Sequence, residues 1–247
     1  MRRRKSSGPD LRRALSERRL AGPFVKLPST DALEAVGEGF DFVIVDLEHS
    51  QLSEAEALGL ARHGSAVELP VVVRVPAVDA GLINRLLEAG ASGIQLSSVT
   101  GVEQVRALVR ATRFAPDGRR SVSPAHGLAG FGSVPLEEAV AFGPPLLVGQ
   151  IETEATDDPL QDILLAGLDV AFLGTTDLLV DVGFDRERVA ARVAEVTAAA
   201  ATAGVALGAF ATTASAVPPE ARYVALSSDL AILRSGASAL RAELEGV

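Results

Sequence analysis

The feature that most constrains this 247-residue chain is an alternation. Short apolar runs recur eight times, separated by stretches with helical spacing. Strands are predicted over 23–28, 40–46, 70–76, 93–96, 146–152, 170–174, 205–210 and 223–226. Most are rich in Val, Ile, Leu and Phe with little polar alternation, which is the pattern of strands buried on both faces. Helices are predicted over 30–38, 53–65, 79–88, 102–112, 135–141, 157–166, 186–203 and 229–245, with a short charged one over 10–19. Ser, Thr and Asp stand at several helix starts, and Gly90 stands at one helix end. Eight strands alternating with helices in about 250 residues predict one α/β domain, a single-domain (β/α)8 TIM barrel. A doubly wound open sheet is the alternative, but no Gly-x-Gly-x-x-Gly follows the first strand and no Walker-type loop occurs. Residues 1–19 are assigned to a basic tail and short helix, and residues 20–247 to the barrel.

Composition removes several function classes. A net charge of −9 argues against nucleic acid as a partner. No apolar run reaches the roughly 18 residues of a membrane span. The opening Met-Arg-Arg-Arg-Lys has no apolar segment behind it, so a basic tail is expected rather than a signal peptide. The absence of cysteine excludes disulfides, thiolate metal sites and a Cys nucleophile, and a cytoplasmic enzyme is expected. Only three histidines (His49, His63, His126) and two lysines (Lys5, Lys26) are available for chemistry.

In a parallel barrel all strand C-termini converge on one mouth. There the sequence places Asp46, Glu48 and His49 after the second strand, Arg74 on the third, Gln150 and Glu152 on the fifth, and Asp177 just past the sixth. Two neighbouring carboxylates, Glu152 and Asp177, repel each other unless one is protonated or a cation bridges them. Two carboxylates with water suit Mg²⁺ or Mn²⁺. The segment Gly174-Thr175-Thr176-Asp177 opens a helix and offers backbone N–H groups to an anion. Arg74 adds a planar cationic donor fork, and His49 is the candidate for moving protons. Together these would hold a 2-oxo acid and stabilise its enolate.

Each residue also has a plain structural reading. Glu152 fits an N-cap, Asp177 a first-turn helix carboxylate, and Arg74 an ion pair with Asp46 or Glu88. His63 reads as structural or exposed. His126 and the Arg119–Arg120 pair, in the aperiodic stretch 113–135, are candidates for substrate or anion contact. Glu88, at a helix end leading into the fourth strand, is expected beneath the mouth near His49. Asp46 and Glu48 are expected to support the site from behind. A Schiff-base mechanism would require a lysine at the mouth, and only Lys26 qualifies.

The runs Phe-Asp-Phe-Val-Ile-Val-Asp-Leu-Glu-His, Val-Val-Arg-Val-Pro, Leu-Leu-Glu-Ala-Gly-Ala-Ser-Gly-Ile, Arg-Phe-Ala-Pro-Asp-Gly-Arg-Arg, Gln-Ile-Glu-Thr and Phe-Leu-Gly-Thr-Thr-Asp-Leu resemble the HpcH/HpaI aldolase family from about residue 20 onward. These are metal-dependent pyruvate aldolases related to citrate lyase β-subunits. The resemblance implies a carbon–carbon lyase acting on a pyruvate enolate. It also implies a divalent metal (Mg²⁺, Mn²⁺ or another first-row ion) on Glu152 and Asp177, with His49 as catalytic histidine, Arg74 as enolate stabiliser and Glu88 as the acidic partner of the histidine. Gln150, Gly174, Thr175, Thr176, Asp177 and Arg74 would contact substrate. It further implies a homo-oligomer, a hexamer or trimer of dimers with an exchanged C-terminal helix, a 2-oxo acid substrate and an aldehyde acceptor. Decarboxylation of an oxaloacetate-type acid, another enolate carbon–carbon bond, or a non-catalytic barrel scaffold stand as alternatives. The sequence departs from the family pattern at Gly-Thr-Thr-Asp-Leu-Leu, at Leu-Ser-Ser after the fourth strand, at Ser121, and at Glu88, where Asp is usual.

Overall fold

The computed structural model describes residues 8–141 and 143–246, so the basic run expected as a tail lies outside the described residues. Eight strands close into one barrel in chain order. They are β1 (Leu20–Val25), β2 (Val43–Asp46), β3 (Val71–Val75), β4 (Gly93–Leu96), β5 (Leu146–Ile151), β6 (Val170–Leu173), β7 (Ala206–Ala211) and β8 (Tyr223–Ser228). Every neighbouring pair is parallel, including β8 against β1. The helices are α1 (Gly8–Glu17), α2 (Thr30–Gly37), α3 (Glu54–Ala66), α4 (Ala80–Ala89), α5 (Val102–Thr112), α6 (Leu136–Val140), α7 (Leu160–Leu165), α8 (Thr175–Asp181), α9 (Arg186–Ala203) and α10 (Asp229–Glu245). The architecture is TIM-barrel-like. No described helix is long and apolar enough to cross a membrane.

Several boundaries differ from expectation for identifiable reasons. The first strand starts at Leu20, not residue 23. Pro23 cannot donate to a ladder, and the register against β8 shifts between Gly22 and Phe24 to accommodate it. Gly22 is required there, because a Cβ would lie 2.1 Å from the Phe42 carbonyl oxygen. The helix expected from residue 157 begins at Leu160. Asp157 and Asp158 are drawn away to accept hydrogen bonds from the Thr100 hydroxyl (2.6 Å) and the Val102 N–H (2.8 Å).

Side chains alternate along the strands and make two large apolar clusters, with a small third one around Ala209, Ala221 and Val224. Val43, Val45, Val71, Val73, Ile94 and Leu147 face the helices. Ile44, Val72, Val148, Phe172 and Tyr223 fill the barrel interior, and Leu11 and Leu15 of α1 join that cluster. The next inward position toward the C-terminal end is polar on four strands: Asp46, Arg74, Gln95 and Gln150, all buried. The register pairs Asp46 with Arg74 and Arg74 with Gln95, so these side chains stand at one level. An apolar barrel capped by these polar side chains therefore positions the site.

Candidate active site

One side of the mouth is a closed ion network. Asp46 is fully buried at the end of β2. Arg74 grips it with two bonds, Nε to Oδ1 at 2.8 Å and Nη2 to Oδ2 at 2.6 Å. Lys26 Nζ lies 2.9 Å from Asp46 Oδ2 and donates to the His49 carbonyl at 2.7 Å. The backbone N–H groups of Glu48 and His49 also donate to Asp46 Oδ1. Burial alone would push the Asp46 carboxyl up. The bonds and charge of Arg74, with Lys26 and the His49 N–H, outweigh it and hold the carboxyl far below the usual carboxylate range. The structural reading of Arg74 as a partner of Asp46 is thus realised, but it does not exhaust the guanidinium. Nη1 lies 3.1 Å from Glu48 Oε2, which leaves one N–H on each terminal nitrogen for a ligand. The Phe24 ring, 4.6 Å from Arg74 Cζ, supports the guanidinium plane. His49 is exposed, with Nε2 3.6 Å from Glu48 Oε2.

The other side has carboxylates that, among the described residues, no cation pairs with. Glu152, 4% exposed, follows β5 directly. Its Oε1 accepts from the Ser98 N–H (2.7 Å) and the Ser98 hydroxyl (2.6 Å), and its Oε2 accepts from Gln150 Nε2. Asp177 is exposed in the first turn of α8, which opens at Gly174. Gly174 abuts Glu152, since a Cβ there would lie 2.5 Å from both Glu152 Cβ and Oε2. The first turn of α8, carrying Thr175 and Thr176, has no side-chain cap. Among the described residues neither Glu152 nor Asp177 has an ion-pair partner within 4.0 Å. No group of three or more His, Asp or Glu that could hold a metal occurs among those residues either. The donors available are oxygens, two carboxylates and the serine hydroxyl, a chemistry that suits a hard divalent cation that retains water.

Two adjacent serines join the two sides. The Ser97 hydroxyl donates to Glu48 Oε2 at 2.7 Å, and Ser98 holds Glu152. Ser98 adopts a positive φ of 49°, a conformation uncommon for a residue other than glycine. These are the residues of the Leu-Ser-Ser departure, now explained as hydroxyl donors to two acids of the mouth.

Glu88 is not where it was expected. It ends α4, which leads into the N-terminal end of β4, so it lies away from the mouth of its own barrel. Its Oε1 accepts from Asn84 Nδ2 at 3.2 Å, and its charge acts on Arg120 and His126. The acid beside the His49 ring is Glu48. The stretch 113–135 connects α5 to β5, so His126, Arg119 and Arg120 are also carried to the end opposite the mouth. Arg120 Nε donates to Asn84 Oδ1 (2.9 Å) over the Phe114 ring, and Glu88 and His126 line a shared cavity with it. Burial lowers the His126 pKa. His63 pairs with Glu34 at 2.6 Å, as a structural histidine would.

Gln150 was expected to touch substrate. Both ends of its amide are engaged instead, Nε2 with Glu152 and Oε1 with Gln95 Nε2 at 2.9 Å. Gln95, Ser97, Ser98 and Tyr223 escaped the sequence reading. Their signals were present: an amide in a four-residue buried strand, hydroxyls directly after it, and the chain's one tyrosine at a strand start.

The HpcH/HpaI aldolase/citrate lyase family profile matches residues 21–233. The hydroxypyruvate/pyruvate aldolase of Paraburkholderia phytofirmans is 30% identical over 239 residues, covering 90% of this chain and 92% of the relative. A 4-hydroxy-4-methyl-2-oxoglutarate aldolase of Hapsidospora irregularis is 31% identical over 215 residues, covering 83% of this chain and 77% of the relative. The crystal structure of an HpcH/HpaI aldolase/citrate lyase family protein from Burkholderia cenocepacia superposes with a TM-score of 0.84 at 30% identity, covering 94% of this chain and 98% of that one.

Proposed function

This chain belongs to the HpcH/HpaI aldolase/citrate lyase family and is an aldolase of the pyruvate type; we propose that it forms or cleaves the carbon–carbon bond to a pyruvate enolate at the mouth formed by β2 to β6. The carrying observation is the buried Glu152 carboxylate, which has no ion-pair partner among the described residues and is linked through Ser98 and Ser97 to Glu48, the acid beside Arg74 and His49. Glu152 and Asp177 hold Mg²⁺ or Mn²⁺ in this reading, and other first-row divalent ions fit the same oxygen donors. When bound, the ion supplies Lewis-acid polarisation of the 2-oxo group.

The chain's own groups do the rest. The first turn of α8, from Gly174 through Thr175 and Thr176 to Asp177, presents backbone N–H groups to the substrate carboxylate. The two remaining Arg74 N–H groups stabilise the enolate oxygen as it forms. In cleavage of a 4-hydroxy-2-oxo acid, His49 takes the proton of the 4-hydroxyl group. The C3–C4 bond breaks, its electrons pass into the 2-oxo group, and C3 takes up a proton to give pyruvate and an aldehyde. Asp46 and Lys26 fix Arg74 and the His49 backbone. Lys26 Nζ is engaged by both Asp46 and the His49 carbonyl, which counts against a Schiff-base role.

Exchange of the pyruvate methyl protons in D₂O tests the reading. With Mn²⁺ present the wild type exchanges them, and EDTA or Arg74→Ala stops the exchange. Undiminished turnover in EDTA would sink the metal-dependent mechanism. Exchange without aldol cleavage points to a specialised acceptor or to decarboxylation of an oxaloacetate-type acid, and no exchange points to a scaffold.

The reading includes a homo-oligomer. Helix α10 leaves Leu230, Leu233, Leu240 and Leu244 exposed, at 47%, 54%, 65% and 80%, an apolar face that a second copy would cover. Sedimentation that finds a monomer at micromolar concentration removes this part.

A further inference from the structure

Gln150 is two residues from Glu152, but it is not the end of the hydrogen-bond chain that reaches that carboxylate. Gln150 Nε2 donates to Glu152 Oε2, Gln95 Nε2 donates to Gln150 Oε1 (2.9 Å), and the Tyr223 hydroxyl donates to Gln95 Oε1 (3.2 Å). Gln95, Gln150 and Tyr223 are all buried. The three residues come from β4, β5 and β8, so the chain crosses the barrel interior.

The direction of this chain is dictated by its end. Both oxygens of Glu152 accept, Oε1 from Ser98 and Oε2 from Gln150, so Gln150 turns its NH₂ group toward Glu152. Its carbonyl then faces Gln95, which must answer with its own NH₂ group. The Gln95 carbonyl is left facing Tyr223, which must donate. Tyr223 can always do so, because burial pushes its pKa well above the ordinary tyrosine value. Its ring is fixed as well, stacked on Phe42 at 4.7 Å between centroids and edge-on to Phe172 at 6.1 Å. Every amide orientation is thereby set, and none is free to flip.

We propose that Gln95 and Tyr223 are positioning residues for Glu152: a one-way hydrogen-bond chain, anchored on a packed tyrosine, aims the carboxylate at the cation it is read to bind. Neither residue reaches substrate, and both act through Gln150. The inference rests on the reading of Glu152 as a metal-holding residue. Without Gln95 the Gln150 amide can rotate and present its carbonyl to Glu152, turning an attraction into a repulsion.

The test is the Mn²⁺ dissociation constant of the full chain by calorimetry, read beside kcat, KM and the melting temperature in EDTA. Gln95→Met preserves length and removes both hydrogen bonds. It is expected to weaken Mn²⁺ binding about tenfold or more, in the range of residues that support metal ligands. Tyr223→Phe removes only the hydroxyl and keeps both ring contacts. It is expected to weaken Mn²⁺ about two- to fivefold with KM for pyruvate unchanged at saturating metal, and it stands alone as the test if Gln95→Met does not fold. The double variant is expected to bind Mn²⁺ as Gln95→Met does, since Tyr223 acts only through Gln95. Wild-type affinity in both single variants, or a Tyr223→Phe effect undiminished in the Gln95→Met background, overturns the proposal. Glu152→Gln separates the two levels. If it loses Mn²⁺ while Gln95→Met and Tyr223→Phe keep it, only the positioning inference falls. If it binds Mn²⁺ like the wild type, the metal reading falls and takes the inference with it.

Discussion

The two sides of the barrel mouth carry the same kind of group and treat it in opposite ways. Asp46 is a buried carboxylate matched by Arg74 and Lys26, two cations from its own chain. Glu152 is a buried carboxylate whose donors among the described residues are the neutral Ser98 and Gln150. A buried charge without a countercharge is costly. The first side has met that cost within the fold. The second has no ion-pair partner among the described residues, and in the proposed reading a divalent cation matches it.

The sharpest way to break this comparison is to neutralise each carboxylate. Asp46→Asn leaves Arg74 and Lys26 sharing a buried site, and it should cost about 3–5 kcal/mol of stability in urea unfolding. If it costs no more than a surface change, the first side is not a closed network. On the same side His49→Asn should leave stability intact and lower kcat by about 10² to 10⁴. A variant that keeps wild-type kcat would move the proton-transfer role elsewhere. Glu152→Gln should do the reverse of Asp46→Asn. Calorimetry should find Mn²⁺ affinity reduced by more than about a hundredfold, beyond the usual loss from a supporting residue. In EDTA its stability should change by no more than about 1 kcal/mol, the net worth of one hydrogen bond. A large loss of stability in EDTA would mean that Glu152 is structural too.

A pH series sharpens the contrast further. The native pKa of Asp46 lies far below its ordinary value of 3.8. Its contribution to stability is therefore fully present above about pH 4 and is lost as the pH falls toward the native value. Wild-type stability measured by urea unfolding should fall with decreasing pH below about 4, with a slope from this group of up to about 1.4 kcal/mol per pH unit. Asp46→Asn should lack that component. Equal slopes in the two proteins would mean that Asp46 is not stabilised as the geometry indicates.

Much of this was legible in the sequence. The strands 93–96 and the helices 102–112 and 186–203 fell where the periodicity put them, because buried parallel strands and capped amphipathic helices leave local signatures. The delivery of Asp46, Arg74, Glu152 and Asp177 to the C-terminal ends of the strands was legible because a barrel brings strand ends together whatever their separation in sequence. Glu88 was misplaced for a geometric reason. A helix end before a strand belongs to the opposite end of the barrel from a strand end before a helix, and sequence proximity to β4 hid that difference. The same topology carried His126, Arg119 and Arg120 away from the mouth. Gln95 and Tyr223 lie 128 residues apart, and nothing local to either announces the other.

The sequence by itself determined the eightfold alternation, the apolar interior and the kinds of ionisable group delivered to the mouth, because these follow from residue type and spacing along the chain. Only the tertiary structure decided which carboxylate is neutralised by the chain and which is left open. That choice depends on register across β2, β3, β4 and β5, and on a few ångströms between side chains far apart in sequence. Electrostatic pairing and hydrogen-bond direction are properties of those distances.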